Sequence, residues 1–387
     1  MSRSISVCSL ALTAICASPV LASAQVTSSP TESNSILASS PPVAYIYVST
    51  ATNGTTGQIR GYSAAPNGAL TAIPGSPFQT VGVNYMAVNG KWLFGVANTD
   101  TDIDSFSIGS NGALTLKDTY TVTNPGPGVI SVYLDHTGTT LYADYYTTNN
   151  DYLSYSINQS TGQLTKLGDL AGGPPNNSPV SFIGNNVYAY SSSCYHFGPE
   201  IIGVNRNTDG TLSYLNNFNP PFPAEKSGGF YCPWWAAADP TNHLAIAMEP
   251  LNPNWGQEGP WQLATYTIGS SGNLTTKSTY SNMPSVLIGA VTGYWMSPSG
   301  KFLAVGGSSG FQIFHFNGAN PITKFTGRLT TSPIDQIFWD DANHVYAISR
   351  MAGKLFVWTV TSAGVTRAPG SPHAITNLEN LIVLPKT

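Results

Sequence analysis

The chain has 387 residues, with 38 glycines, 28 prolines, 41% hydrophobic and 11% aromatic residues but only 9% charged ones. That is too apolar for an unfolded chain and too rich in turn formers for a helical one, which leaves an all-β body with many tight turns. Fifteen basic against nineteen acidic residues give a net charge of −4 without runs of either sign, so no basic patch suited to nucleic acid or anionic lipid is present.

Arg3 followed by the apolar stretch Ile5 to Ala17 and the small-residue site Ala22-Ser23-Ala24 predicts a secretory signal over residues 1–24. The mature protein is therefore expected to be secreted or periplasmic. Residues 25–42, rich in Ser, Thr, Pro and Asn, predict a flexible leader. No later stretch reaches the roughly 18 apolar residues of a membrane helix, so no span is expected. Cys8 and Cys16 leave with the signal. Cys194 and Cys232 remain, either as one disulfide suited to an oxidising compartment or as two unpaired thiols on separate loops.

From residue 43 onward the chain repeats itself. An apolar strand recurs around Ile46, Leu93, Leu141, Val187, Leu244, Leu303 and Val345, at spacings of 47, 48, 46, 57, 59 and 42 residues. A glycine turn keeps step at Asn67-Gly68, Asn111-Gly112, Thr161-Gly162, Asp209-Gly210, Ser271-Gly272, Asn317-Gly318 and Ala363-Gly364. A large residue stands six positions before most of these glycines, as at Tyr62, Phe106, Val204, Tyr266 and Trp358, and seven before at Tyr155; in the sixth repeat it shifts to Phe314. Each unit divides into four short strands, and apolar residues on both faces of the third strand suit a sheet packed between two others. Seven such units predict a seven-bladed β-propeller of four-stranded antiparallel blades over residues 43–387. The first unit lacks a first strand and Leu378 to Leu384 form a surplus one, so the two ends should close the ring in one blade.

Three insertions, Ser191 to Pro199, Asn216 to Gly229 and Glu249 to Pro260, are read as loops, and long loops on a rigid scaffold are where ligands are usually met. Gly306 to Gly310 fits G-x-S-x-G, but it joins two strands with no helix following and reads as a hairpin. Asp100, Asp102 and Asp104 resemble the start of a calcium loop, yet Ser105 and Asn111 stand where glycine and glutamate are needed. The histidines form no metal-spaced pair, so neither metal nor cofactor is expected; His243 and His344 share one repeat position, and His196 lies in an insertion.

The strand Tyr45-Ile46-Tyr47-Val48, the third strand Ile59 to Ser63, the turn Asn67 to Thr71 and the tails Pro74-Gly75-Ser76-Pro77 and Pro369-Gly370-Ser371-Pro372 resemble the lactonase-type seven-bladed propellers. That group includes 6-phosphogluconolactonase-like proteins and repeats named for a Tyr-Val-Thr-Asn core. The resemblance implies hydrolysis of a sugar-derived or related cyclic ester at one mouth of the central channel. Glu249 or Asp335 would then position water as general base and Arg350 would stabilise the oxyanion. His196, Trp234, Trp235, Trp255, Glu258, Tyr294 and Glu379 would contact a lactone or carbohydrate-like ligand, since aromatic faces stack on sugars and carboxylates bind hydroxyls. Where the family carries Pro-Arg-His this chain has Pro233-Trp234-Trp235, and where it carries His-Ala this chain has Val129 to Val132. A non-catalytic propeller that binds a ligand or a protein partner is the alternative. A monomer is expected in either case.

Overall fold

The computed structural model describes residues 40–51, 56–122, 128–145, 151–171, 179–195 and 198–386. The signal segment, most of the leader and His196 lie outside them. Among the described residues the strands fall into seven antiparallel sheets, and no helix is long and apolar enough to cross a membrane. Each sheet is a blade of four strands, inner, second, third and outer, with an extra short strand beside the third in blades 1 and 7. Inner strands of most successive blades pack on one another around the axis, and Leu378–Pro385 is the inner strand of blade 1. It pairs with Ala44–Ala51, Tyr45 opposite Leu384 and Ile46 opposite Val383, so the first and last strands close the ring.

The second strands are the most deeply buried elements. Trp92–Ala97, Phe302–Gly307 and His344–Ser349 have no exposed position because both faces meet a neighbouring blade. Cross-strand pairing explains the periodic large residue of the third strand. Tyr62, Phe106, Tyr155, Tyr266, Phe314 and Trp358 lie opposite Ile46, Leu93, Leu141, Leu244, Leu303 and Val345. In blade 4, Val204 lies opposite Ala189, not Val187. Val187 precedes the strand and is 43% exposed, so the true repeat position in that blade is two residues later than its hydrophobicity suggests.

This position also accounts for the glycine turns. One residue further along, Tyr47, Tyr142 and Tyr190 donate through their hydroxyls to the carbonyls of Gly112, Gly210 and Gly272 in the turn of the following blade. All three glycines have positive φ, and a Cβ on Gly112 or Gly272 would come within 3.0 Å of Tyr45 or of Leu215 and Tyr188. Backbone conformation and blade-to-blade approach thus both demand glycine there.

Side-chain hydroxyls complete the outer edges. In the two Pro-Gly-Ser-Pro tails Ser76 and Ser371 accept from the third-strand amides of Gly61 and Val357. Ser278 and Thr326 do the same for Thr265 and Ile313 in blades 5 and 6. These tails are scaffold devices. So are the shared histidines: the backbone amide and Nδ1 of His243 meet Asp239, and those of His344 meet Asp340, in matching turns.

The Ser191 to Pro199 insertion is not a loop. It extends the second and third strands of blade 4 into a long hairpin, Ser191 opposite Ile202 and Tyr195 opposite Gly198. Alternating side chains find partners on both faces there, which a strand satisfies and a loop does not. Glu249 to Leu251 likewise prolong the second strand of blade 5, and only the remainder of that insertion turns. Gly306 to Gly310 is a hairpin, with Gly307 opposite Gly310. Asp104 and Asp102 accept from the hydroxyls of Thr119 and Thr121 on the neighbouring strand.

Candidate functional site

In an antiparallel blade the second-to-third turn and the connection to the next blade lie at the same end of the ring. Glu249, Trp255, Glu258, Asp335, Arg350 and Glu379 all belong to that end, by their places on strand ends and connections. Counting five residues beyond the repeat position gives Cys194 in blade 4, Glu249 in blade 5 and Arg350 in blade 7. The three therefore occupy equivalent places on their blades, which became visible only once Ala189 replaced Val187 in the register.

Two clusters form there. In blade 5 the indole N–H of Trp234 donates to Glu249 Oε2 at 2.7 Å, across a bulge that breaks the pairing between Pro233 and Trp235. Trp261 is stacked on Trp234, ring centroids 6.3 Å apart and planes 26° from parallel. Cys194 and Cys232 are joined in a disulfide, Cα to Cα 5.2 Å, that links blade 4 to the inner strand of blade 5. Leu251, Phe230 and Trp234 pack around it. Trp255, half exposed at 51%, sits at positive φ in a turn whose amides are capped by Asn252, and meets Phe230 edge to face at 4.8 Å. Glu258 is exposed, its backbone N–H bonded to the Pro250 carbonyl.

In blades 7 and 1, Asp335 Oδ2 accepts from the backbone N–H of Arg350 at 2.7 Å, and Arg350 Nε donates to the carbonyl of Glu379 at 2.6 Å. The arginine is exposed and makes no ion pair among the described residues. The clusters are joined through blade 6: Trp235 donates to the Val291 carbonyl at 3.0 Å, and Thr292 to the Ile334 carbonyl.

Trp234 and Trp235 are partly buried and pack against the core shared by blades 5 and 6. Tyr294 is placed differently: it is 6% exposed within that same core, and burial pushes its phenol well above the ordinary value. Two cavities lie away from this end cluster. One of about 350 Å³ is lined by Gln79, Asp104, Phe106 and Leu116, and one of about 510 Å³ by Ile183, Asn185, Tyr188 and Asn242.

One polar group escaped attention in the sequence. Asp144 on the second strand of blade 3 is 2% exposed and accepts from Ser131 Oγ at 2.6 Å and from the Tyr133 hydroxyl at 3.1 Å, both on the inner strand. Burial pushes its carboxyl up to about 7, against the opposing pull of those two hydrogen bonds. The available signal is positional: three residues beyond the repeat position the other blades carry Ser49, Val96, Ser192, Ala247, Gly306 and Ile348. A carboxylate there is out of pattern.

This fold is a seven-bladed β-propeller. A periplasmic gluconolactonase from Pseudomonas aeruginosa is similar to it at 15% identity, over 88% of this chain and 99% of that one, with a TM-score of 0.64. A protein from Lactobacillus plantarum is similar at 14% identity over 89% and 99% of the two chains, TM-score 0.65. One from Bacteroides uniformis, provisionally described as a 6-phosphogluconolactonase, is similar at 14% identity over 88% and 99%, TM-score 0.64. At these identities the likeness is one of fold. No family model matches the sequence, and no curated protein matches it.

Proposed function

We propose that the protein is an exported lactonase-like hydrolase that opens a sugar-derived or related cyclic ester at the channel end carrying Glu249 and Arg350. The observation that carries this is the Trp234–Glu249 hydrogen bond, which aims one carboxylate oxygen and leaves the other to accept from water. Glu249 takes a proton from that water as its oxygen attacks the ester carbonyl carbon; the acyl–oxygen bond of the ring breaks, and the departing oxygen takes up a proton to give the hydroxy acid. Arg350, tethered through Nε, presents its remaining N–H groups to the oxyanion. Asp335 accepts from the Arg350 amide through Oδ2 and so places the arginine. Trp255 and Trp234 offer ring faces to a sugar.

The second reading is a binding propeller without chemistry. The replacement of the family's arginine and histidine by Trp234 and Trp235 favours it, as does the engagement of Trp235 with Val291. Purified protein assayed against a panel of neutral and phosphorylated sugar lactones separates the two. Opening above the spontaneous rate that Glu249→Gln abolishes supports the first; no opening with retained ligand binding supports the second.

A further inference from the structure

Five aspartates are buried among the described residues, and in four of them both carboxylate oxygens are bonded. Asp135 is held by Thr137 and Arg206, Asp144 by Ser131 and Tyr133, and Asp239 and Asp340 by the amides of their own turns together with His243 and His344. Asp104 is the exception. It is 4% exposed and its Oδ1 accepts from Thr119 at 2.6 Å, but its Oδ2 has no partner among the described residues and is not sealed off either. A carboxylate oxygen taken from bulk water without a donor is costly, so the space beside it calls for one.

That space is the cavity of about 350 Å³ between blades 1 and 2. Asp102, Asp104 and Phe106 are alternate residues of the third strand of blade 2 and so share the face that packs on blade 1, where Phe106 joins Tyr45, Tyr47 and Ile59 in one core. Thr121, Thr119 and Leu116 lie opposite them on the outer strand. Across the cavity stand Gln79 and Thr80 of the extra strand of blade 1. Ala97 and Phe106 are buried, whereas Val81 and Leu116 are more than half exposed, so an apolar lining runs from the interior to the surface beside the two carboxylates.

No cation of the chain serves this cavity. Neither Asp102 nor Asp104 makes an ion pair among the described residues, and from residue 40 onward the remaining segments contain neither lysine nor arginine. Burial raises the Asp104 carboxyl above its ordinary value against the pull of the Thr119 hydroxyl, and the Asp102 charge adds to the rise; a bound cation would relieve both. A calcium ion would want about six to eight oxygen ligands, whereas Val81, Ala97, Phe106 and Leu116 offer only hydrocarbon. No group of three metal-ligating side chains forms among the described residues.

We propose that this cavity binds a protonated aliphatic amine: its ammonium donates to Asp104 Oδ2 and to Asp102, and its alkyl chain lies along Phe106, Val81 and Leu116. The same chemistry is offered by a free small amine and by the lysine side chain of another protein.

Hexylammonium added to the full folded chain tests this, read by calorimetry and amide NMR. Saturable binding is expected, with shifts confined to Asp102–Ile108, Leu114–Thr121 and Phe78–Thr80, while hexanol, the same chain without the charge, binds at least about 10-fold more weakly. Asp104→Asn should weaken hexylammonium by about 10-fold, the loss of one charge-assisted hydrogen bond. Should that variant fail to fold, Leu116→Lys at the exposed rim supplies an ammonium from the chain itself and should block the site. The N-acetyl, N-methylamide derivative of lysine separates the sources: affinity equal to that of hexylammonium supports the site with a protein's lysine as its occupant, and much lower affinity supports it with a free amine. Absence of saturable binding by both amines, equal binding of hexanol, amine binding unchanged in either variant, or displacement of the amine by an equal concentration of calcium overturns the proposal. None of these readouts depends on lactone opening.

Discussion

Two carboxylates show how environment, not residue type, sets a role. Glu249 receives one indole N–H at the channel end and is aimed by it, so Glu249→Gln should keep the Trp234 contact and lose the proton acceptor. A fall in lactone-opening rate on the order of 100-fold with little change in melting temperature is expected, measured by pH-stat and calorimetry. Asp144 is enclosed, and its contribution is to stability. The wild type should lose up to about 4 kcal/mol relative to Asp144→Asn as pH rises from about 4 to beyond 7, read from denaturant midpoints of both proteins across that range. An unchanged difference between the two proteins would mean that the Asp144 carboxyl ionises in the fold as it does in water.

Elements of this molecule are also joined at their ends. The Cys194–Cys232 bridge ties the long hairpin of blade 4 to the inner strand of blade 5, beside Trp234. Replacing both cysteines by alanine should lower stability by about 2–4 kcal/mol in non-reducing buffer, and reducing agent should affect the wild type alone. At the opposite end of the ring, Gly184 lies against the next blade so closely that a Cβ would sit 1.8 Å from the Pro240 carbonyl oxygen. Gly184→Ala should therefore separate blades 4 and 5 and lower the melting temperature, whereas Gly90→Ala, where nothing lies within 4 Å, should cost only the strain of its positive φ. Similar losses at both positions would show that the close approach is not what demands glycine at Gly184.

For the whole ring, closure is the decisive contact. Leu378–Pro385 supplies the inner strand of blade 1, and Leu378, Leu381 and Val383 are buried in the core that blade 1 shares with blade 7. Removing residues 378–387 leaves the inner edge of Ala44–Ala51 unpaired and the ring open, and the expected outcome is loss of the cooperative unfolding transition by circular dichroism, together with aggregation. A truncated chain that still melted in one sharp step would show that six complete blades hold without the seventh.

The seven-fold repeat, the four-strand division and the closing strand were all legible in the chain, because a propeller blade is a local unit whose strand periodicity and turn glycines must recur in sequence. Even the large third-strand residue was visible, and pairing explained it. Val187 misled because hydrophobicity is a weak guide where a turn residue is apolar; the partner of Val204 decided the register. The disulfide was one of two readings until the blade 4 hairpin brought Cys194 beside Cys232. Tyr294 and Asp144 were opaque for one reason: whether a polar side chain on an inner or second strand meets solvent or the next blade depends on rotation about the ring axis, which no local pattern encodes. Periodicity thus determined the architecture from the sequence alone, whereas the partners across blade joints, and with them the aimed carboxylate and the enclosed one, existed only once the ring had closed.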